Sequence, residues 1–413
     1  GIYELSNVNV SDKKEDVAAI MAKVKANLKE NYTPPTTPFS STIFLRQETS
    51  FKAKQFNLEI EKSTGIPKSK LKEVNAEIKR FTSGMSTTPP REFQDFLGTY
   101  SSSLIKKEDK TVNTSKLNVL KATRIKDDNR SVSMDELEET TKNLFLKHLD
   151  TTKFYRIKSG WIGSRDTVSF SKEFNEKREK TKKGVKAEPK NVAQAKSSII
   201  TIQTTTNPLY GTNTNYLRQI DWYEYTLDGA VFSEDYKLVY VIKFKPKKGK
   251  AKYEGTLYVS ENDYAVVKAT YNLAKGKTLG GINLKWILGI KAFENVSNGT
   301  LIYKEDPATK KYYCQYANTE KGQYLYLNRP LKFIELTNED RDVLALDIKV
   351  EGNTLDRTEY LNLEQKEISV AQFEQLKEND FKYLALKKYD PKIYNEFTTI
   401  EPAEEMKQFS IGE

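Results

Sequence analysis

Residues 235–273 constrain the fold more than any other part of the chain, because three segments of alternating apolar residues follow one another there. The segments cover residues 238–244, 253–259 and 264–273, and only short polar turns separate them. Alternation places every second side chain on the same face of a strand, and turns as short as residues 261–263 join antiparallel neighbours. The pattern therefore predicts an antiparallel meander with one apolar face.

The apolar face of this meander is the candidate ligand-binding surface. Its predicted members are Leu238, Tyr240, Ile242, Phe244, Leu257, Val259, Val267, Ala269 and Tyr271. Two interpretations are open at this point. A half-buried antiparallel sheet always has an apolar face, and a helix packed on that face explains it without any ligand. The other interpretation is that the face covers an apolar ligand.

Composition favours a β-rich globular protein. The chain holds 24 Tyr and 19 Phe, although only 37% of its residues are hydrophobic and 30% are charged. Aromatic residues are enriched in strands, and a disordered chain would contain few of them. We expect residues 11–197 to hold an N-terminal helix, the first strands and a helical insertion. We expect residues 198–402 to hold the β-rich half-barrel portion, within one continuous structural domain.

Helical periodicity is confined mainly to the first part of the chain. Apolar spacing and capping residues predict helices over residues 12–31, 67–84 and 133–149. Residues 39–60 mix apolar and polar residues as a pair of strands does. Most of the chain after residue 197 is predicted as strand, beginning with residues 198–204, because its composition is β-rich or its pattern has a period of two.

The sequence contains few of the residues and motifs that serve catalysis or metal binding. His148 is its only histidine and Cys314 its only cysteine, which excludes a zinc site of His and Cys and an internal disulfide. Cys314 lies in an alternating segment, so we expect a packed thiol. Carboxylate pairs with glycosidase spacing and phosphate-binding loop motifs are absent. We therefore expect no enzymatic activity, no cofactor and no bound metal, although a calcium site with oxygen ligands stays open.

Despite the net charge of +10, we expect no nucleic-acid partner. Basic residues concentrate in residues 172–190, where Lys alternates with Glu as in a solvated loop, whereas nucleic-acid surfaces interleave Arg with aromatics. The sequence contains no run of about 18 apolar residues, so it predicts no transmembrane helix. The chain opens at Gly1 without Met or an apolar signal region, so we expect a processed chain whose targeting segment is missing.

Several motifs without attached chemistry are shared with a known group of proteins. They are LSNVNV at residues 5–10, the helix end at Asn31 and Tyr32, YRIKSGWIG at residues 155–163, and YDP at residues 389–391 with Tyr394. With them the chain resembles, over nearly its whole length, Bacteroidota envelope proteins that carry a carboxypeptidase-like regulatory domain. The resemblance covers the region downstream of that domain, and the name implies no peptidase activity.

Residues 235–271 also look like the strands of the LolA-like lipoprotein carriers. This resemblance implies an α+β fold in which a curved antiparallel half-barrel is closed by an N-terminal helix, with a helical insertion between residues 65 and 149. It implies a non-enzymatic periplasmic or outer-membrane-associated protein whose concave face binds a lipid, a lipoprotein acyl chain or another apolar ligand. The alternative is a scaffold or a partner- or glycan-binding module of an outer-membrane assembly, with a sheet filled by its own helices.

Overall fold

A computed structural model describes residues 6–8, 16–64, 66–107, 110–126, 154–159, 162–169, 191–233, 237–285, 289–335, 341–390, 392–401 and 406. The strands are β1 (Ser6–Val8), β2 (Phe39–Ser63), β3 (Arg91–Lys107), β4 (Lys110–Lys126), β5 (Phe154–Ser159), β6 (Ile162–Ser169), β7 (Tyr223–Phe232), β8 (Leu238–Pro246), β9 (Tyr253–Ser260), β10 (Val266–Leu273), β11 (Leu279–Leu284), β12 (Ile290–Glu305), β13 (Tyr312–Glu335), β14 (Arg341–Glu367) and β15 (Leu384–Leu386). The helices are α1 (Val17–Tyr32), α2 (Lys68–Thr87), α3 (Asn191–Thr205) and α4 (Val370–Gln375), with 3-10 turns at Thr212–Leu217 and Ile220–Trp222.

All of these strands belong to one sheet, with the order β1-β7-β8-β9-β10-β12-β13-β14-β2-β3-β4-β15. β11 adds to β12, and the β5–β6 hairpin adds to β13. The pairings are antiparallel except that between β4 and β15. The predicted fold class is confirmed, because the protein is α+β with one large, open, curved antiparallel sheet and few helices.

The predicted meander is formed by β8, β9 and β10. Its register places Ile242 opposite Leu257, and Leu257 opposite Ala269. The alternation in the sequence therefore brings one apolar row together across the three strands. β2, from the first of the two predicted portions, pairs along its length with β14, from the second. The boundary proposed between those portions stays a prediction.

Unusually long strands carry the sheet beyond the half-barrel. β2, β13 and β14 contain 25, 24 and 27 residues, and β14 extends for about 90 Å at roughly 3.3 Å per residue. The prediction of a strand pair over residues 39–60 is wrong, because bulges rather than a turn absorb its irregular pattern. At the far end, α2 packs Ile78 against the strands through Ile60 and Leu346.

Two helices cover the concave face of the half-barrel. α1 begins after Asp16, whose side chain accepts a hydrogen bond from the Ala18 backbone N–H at 3.0 Å, as an N-cap residue does. Its buried residues are Ile20, Met21, Val24, Leu28, Asn31 and Tyr32. α3 buries Val192, Ala195, Ile199 and Ile202. The predicted strand over residues 198–204 is wrong, because the three- and four-residue spacing of these positions outweighs their β-branched composition.

Two further predictions have different outcomes. Gly280 and Gly281, which closely follow Gly276 in a pattern that predicts a flexible hairpin loop, lie instead in the edge strand β11. The helix predicted over residues 133–149 lies outside the described residues.

The chain after β15 crosses the outer face of the sheet, opposite the helices. The Tyr394 ring meets that of Phe44 edge-on, with centroids 5.5 Å apart. The Arg46 guanidinium donates hydrogen bonds to the Asp95 carboxylate at 2.9 to 3.2 Å, and one to the Glu401 carbonyl at 2.7 Å. The outer face is therefore closed by a C-terminal segment that a buried charge helps to hold.

Candidate functional site

The predicted binding residues of the meander lie together in the main core. Those buried in one cluster are Tyr240, Ile242, Phe244, Leu257, Val259, Ala269 and Tyr271, and the half-buried Leu238 packs against them. Val267 lies outside this cluster, and Val266 occupies the inward position instead. The cause is a bulge between Val266 and Lys268, which shifts the register of β10 against β9 by one residue.

Protein side chains cover this part of the face. The Tyr216 ring, from a 3-10 turn, stacks on Phe244 with centroids 4.5 Å apart and also approaches Tyr253 and Tyr271 at 6.3 and 6.0 Å. The buried residues of α1 belong to the same cluster. In the structure the meander residues therefore contact protein atoms, and their contact with a ligand stays a prediction.

An open cleft of about 410 Å³ lies beside this filled region. Its walls are the end of α1 with residues 33–37, the end of α3 with residues 207–210, the β12–β13 turn and parts of β3 and β14. Some of its lining residues, including Tyr32 and Tyr303, are members of the main core cluster. The cleft is therefore continuous with the apolar concave face, and its volume falls within the roughly 300–1,000 Å³ of small-molecule sites.

Tyrosine rings form much of the wall of the cleft. The Tyr32 ring meets Tyr303 edge-on at 5.5 Å and lies 6.0 Å from Tyr312, between ring centroids. The Tyr32 hydroxyl donates to the Val266 carbonyl at 2.8 Å, and the Tyr303 hydroxyl donates to the Thr206 carbonyl. Because these hydroxyls are already bonded to the backbone, the rings contribute mainly aromatic carbon to the wall.

The rim of the cleft exposes large apolar side chains. Leu104, Ile200 and Tyr210 are 41%, 42% and 48% exposed. Exposed apolar groups grouped around a concavity are typical of ligand or partner sites. Among the described lining residues the charged ones are Asp306 and Lys311, both on the turn between β12 and β13.

Polar lining residues also occur on β14 and α3, and they are amides and hydroxyls. The Asn362 Nδ2 donates to the Ser41 Oγ at 3.3 Å and to the Gln365 Oε1 at 3.4 Å. The Gln203 Nε2 donates to the Tyr360 hydroxyl at 3.1 Å. This part of the cleft can therefore form hydrogen bonds without carrying charge.

Burial shifts the pKa values of several titratable groups in the cleft. Cys314 lines it, and burial raises the pKa of this thiol to about 12, so the reactive thiolate is scarce at neutral pH. Burial likewise raises the pKa of Tyr32, Tyr303 and Tyr360 above the usual value. Within the part of the chain that the structure describes, three or more His, Cys, Asp or Glu side chains do not gather as metal ligands would.

Sequence reasoning missed the cleft because its walls come from distant segments of the chain. Two features of the sequence lie in its wall: the adjacent tyrosines at residues 312 and 313, and the prolines at residues 34 and 35.

None of the helices among the described residues combines the length and apolar character needed to span a membrane.

Comparisons with known proteins leave the family open. No protein-family model and no curated protein matches the chain. A DUF1329 family protein from Desulfovibrio piger is 10% identical, with 87% of this chain and 97% of that chain covered and a TM-score of 0.22. The Pseudomonas aeruginosa MucA/MucB complex matches at 6% identity, with 85% and 100% covered and a TM-score of 0.19.

A third solved structure is the COG4313 outer membrane channel from Pseudomonas putida F1. It is 9% identical, with 80% of this chain and 97% of that chain covered, and the TM-score is 0.12. These scores are too low to support an inference about function. The resemblance to Bacteroidota envelope proteins and to LolA-like carriers therefore stays a prediction.

Proposed function

We propose that this chain is a non-enzymatic cell-envelope protein that holds a lipid or an acyl chain in the cleft between α1, α3 and the sheet. The observation that carries the proposal is the opening of about 410 Å³, with its aromatic wall and its exposed apolar rim. Burial of an acyl chain is favourable by about 0.8 kcal/mol per methylene. Such binding needs an apolar concavity and no catalytic group.

In this proposal the predicted meander residues are not the first residues that the ligand contacts. They form the packed part of the same concave face, behind the cleft, where α1 already covers them. A longer ligand would reach them only if α1 moved away. We therefore assign the first contacts of the ligand to the cleft, at Ile200 and Tyr210 on its rim and at the half-buried Tyr312 and Tyr313 on its wall.

The envelope location is part of the proposal and rests on the sequence resemblance described above. Fractionation of the native cells tests it directly. Recovery of the protein with periplasmic or outer-membrane markers is expected, and recovery with cytoplasmic markers would contradict this part alone.

Native mass spectrometry with lipid extraction, on protein purified from its own envelope, tests the ligand. We expect a stoichiometric amphiphile that is lost in Ile200→Asp and Tyr210→Asp, because each places a charge on the apolar rim. Leu120→Asp is the matched control, since Leu120 is also an exposed apolar residue, 53% exposed, but does not line the cleft. Wild-type protein that carries no amphiphile, and that takes up none when one is added, would overturn the proposal.

A scaffold role is the second candidate, and one observation favours it. Ile282 and Leu284 on the edge strand β11 are 53% and 38% exposed, and an exposed apolar edge can pair with another protein. Under this alternative the cleft stays empty, and Ile282→Asp abolishes capture of an outer-membrane partner. Retained capture in that variant would count against the scaffold.

A further inference from the structure

One polar atom buried in the wall of the cleft lacks a hydrogen-bond partner. Asn362 is 1% exposed and lines the cleft. Its Nδ2 is engaged by Ser41 and Gln365, but its Oδ1 is among the buried acceptors without a partner in the described part of the protein. Buried acceptors are nearly always satisfied in native proteins, so this oxygen points to a donor that the protein itself does not provide.

The surrounding hydrogen bonds define which group is left over. The Ser41 hydroxyl donates to the Gln365 Oε1 at 3.5 Å, and the Asn362 Nδ2 donates to the same oxygen. Gln365 Oε1 accepts both bonds, which orients the Asn362 amide with its nitrogen toward Gln365. The unpaired group of Asn362 is therefore the acceptor.

The backbone of β14 is irregular at this position. Asn362 pairs with Ile43, but the next paired residue on β14 is Glu364, opposite Thr42, so one residue of β14 is left over. A second irregularity lies across the cleft, where Tyr303 pairs with Cys314 and the neighbouring Ile302 pairs with Tyr316. Bulges redirect side chains and are frequent beside binding sites, and both of these lie in strands that line the cleft.

The unpaired acceptor disfavours an anionic group at this place. An ionised carboxylate or phosphate offers only acceptor atoms, which repel the Asn362 Oδ1. The charged lining residues, Asp306 and Lys311, belong to the β12–β13 turn and not to β14. A hydroxyl or an amide N–H, by contrast, supplies the donor that the oxygen lacks.

We infer that the ligand is an uncharged amphiphile whose polar head donates a hydrogen bond to Asn362, while its chain lies along the tyrosine wall. The inference rests on the proposed ligand-binding function of the cleft and adds the chemical class of the head group.

Three amphiphiles with the same acyl chain test this inference on wild-type protein by isothermal titration. They are a monoacylglycerol, the free fatty acid at a pH where it is ionised, and the methyl ester. The first has hydroxyl donors and no charge, the second has charge and no donor, and the third has neither. We expect the monoacylglycerol to bind roughly tenfold more tightly than the other two, the effect of one added neutral hydrogen bond.

The variant Asn362→Leu removes the acceptor while keeping a side chain of similar size, and it should bind the monoacylglycerol and the methyl ester equally. Asn353→Leu is the matched control on the same strand, because Asn353 bonds Asn295 outside the cleft. It should keep the tenfold preference. Circular dichroism shows whether each variant is folded. If Asn362→Leu does not fold, the comparison of the three amphiphiles on wild-type protein still tests the inference.

The outcomes separate the two proposals. If none of the three amphiphiles binds, the ligand-binding function itself is overturned. If all bind equally, or the fatty acid binds most tightly, the cleft binds lipid but the assignment of a neutral donor is wrong. A preference that survives in Asn362→Leu would also refute the assignment.

Discussion

The buried charge on the outer face of the sheet gives the sharpest stability prediction. The Arg46 guanidinium lies 2.9 Å from the Asp95 carboxylate and 3.6 Å from the Glu359 carboxylate. The Arg46 and Asp95 side chains are 4% and 3% exposed, so water does not screen this pair. We consider Arg46→Met, which keeps an unbranched apolar side chain and removes the charge.

The substitution leaves the Asp95 carboxylate buried without its cation, whereas the Glu359 carboxylate keeps Arg357 at 3.5 Å. Removing one partner of a buried ion pair typically costs about 3–5 kcal/mol, because the remaining charge is uncompensated. The Ile400 and Glu401 carbonyls also lose their donor. We therefore expect the free energy of unfolding to fall by about 4 kcal/mol.

Urea unfolding followed by circular dichroism measures this loss. Lys243→Met is the matched control, because Lys243 also pairs with a carboxylate, that of Asp228 at 2.9 Å, but these side chains are 60% and 44% exposed. Exposed pairs contribute about 0–1 kcal/mol. The control should therefore lose less than about 1 kcal/mol.

A double variant tests the cause. Asp95→Leu in the Arg46→Met background removes the uncompensated carboxylate, so the double variant should lose clearly less than the sum of the single variants. Equal losses for Arg46→Met and Lys243→Met, or strictly additive losses in the double variant, would refute the reasoning.

Three further predictions follow from the packing. Gly255→Ala should lower the free energy of unfolding by about 1–3 kcal/mol in a urea titration, because a Cβ there would lie 1.9 Å from the Thr270 carbonyl oxygen. Gly249→Ala is the control: the space around Gly249 is open, so this variant should change the free energy of unfolding little. Burial raises the pKa of the Tyr32 hydroxyl well above its usual value. The stability that the neutral hydroxyl contributes should therefore be present below about pH 10 and fall above about pH 10, by about 1.4 kcal/mol per pH unit for each such tyrosine. A urea midpoint that does not change between about pH 9 and about pH 11 would contradict this prediction. Because burial raises the pKa of Cys314 to about 12, iodoacetamide at about pH 8 should alkylate the folded chain at least a hundredfold more slowly, as an order of magnitude, than the urea-unfolded chain; equal rates by mass spectrometry would show an accessible thiolate.

The sequence predicted those parts of the fold in which local pattern and tertiary packing agree. The meander was predictable because period-two alternation and short turns both specify it. α3 was mispredicted, because its consecutive residues Ile199, Ile200, Thr201 and Ile202 have the composition of a strand and obscure the helical spacing of its buried positions. Val267 was assigned to the apolar row because no pattern reveals the bulge that places Val266 there.

The cleft could not be predicted from the sequence for a different reason. Tyr32, Gln203, Cys314 and Asn362 all line it, yet long stretches of chain separate them. Their proximity depends on the pairing of β12, β13, β14 and β2, which no local pattern defines. The unpaired oxygen of Asn362 is likewise a property of its neighbours, and not of the residue type.

The carrier and the scaffold interpretations both assumed that the apolar face is either open or filled along its whole length. In the structure one part of the apolar face is filled and another part is open, and the ends of α1 and α3 explain where the filled part gives way to the open part. α1 ends where Thr33 precedes Pro34 and takes an extended conformation, with φ −65° and ψ 123°, as residues before proline prefer. α3 ends shortly before Pro208, and residues after both helix ends line the cleft. The apolar face is filled where the helices lie on it and open where each gives way to a proline-containing loop. A ligand function therefore depends on where these helices stop, rather than on how apolar the strands are.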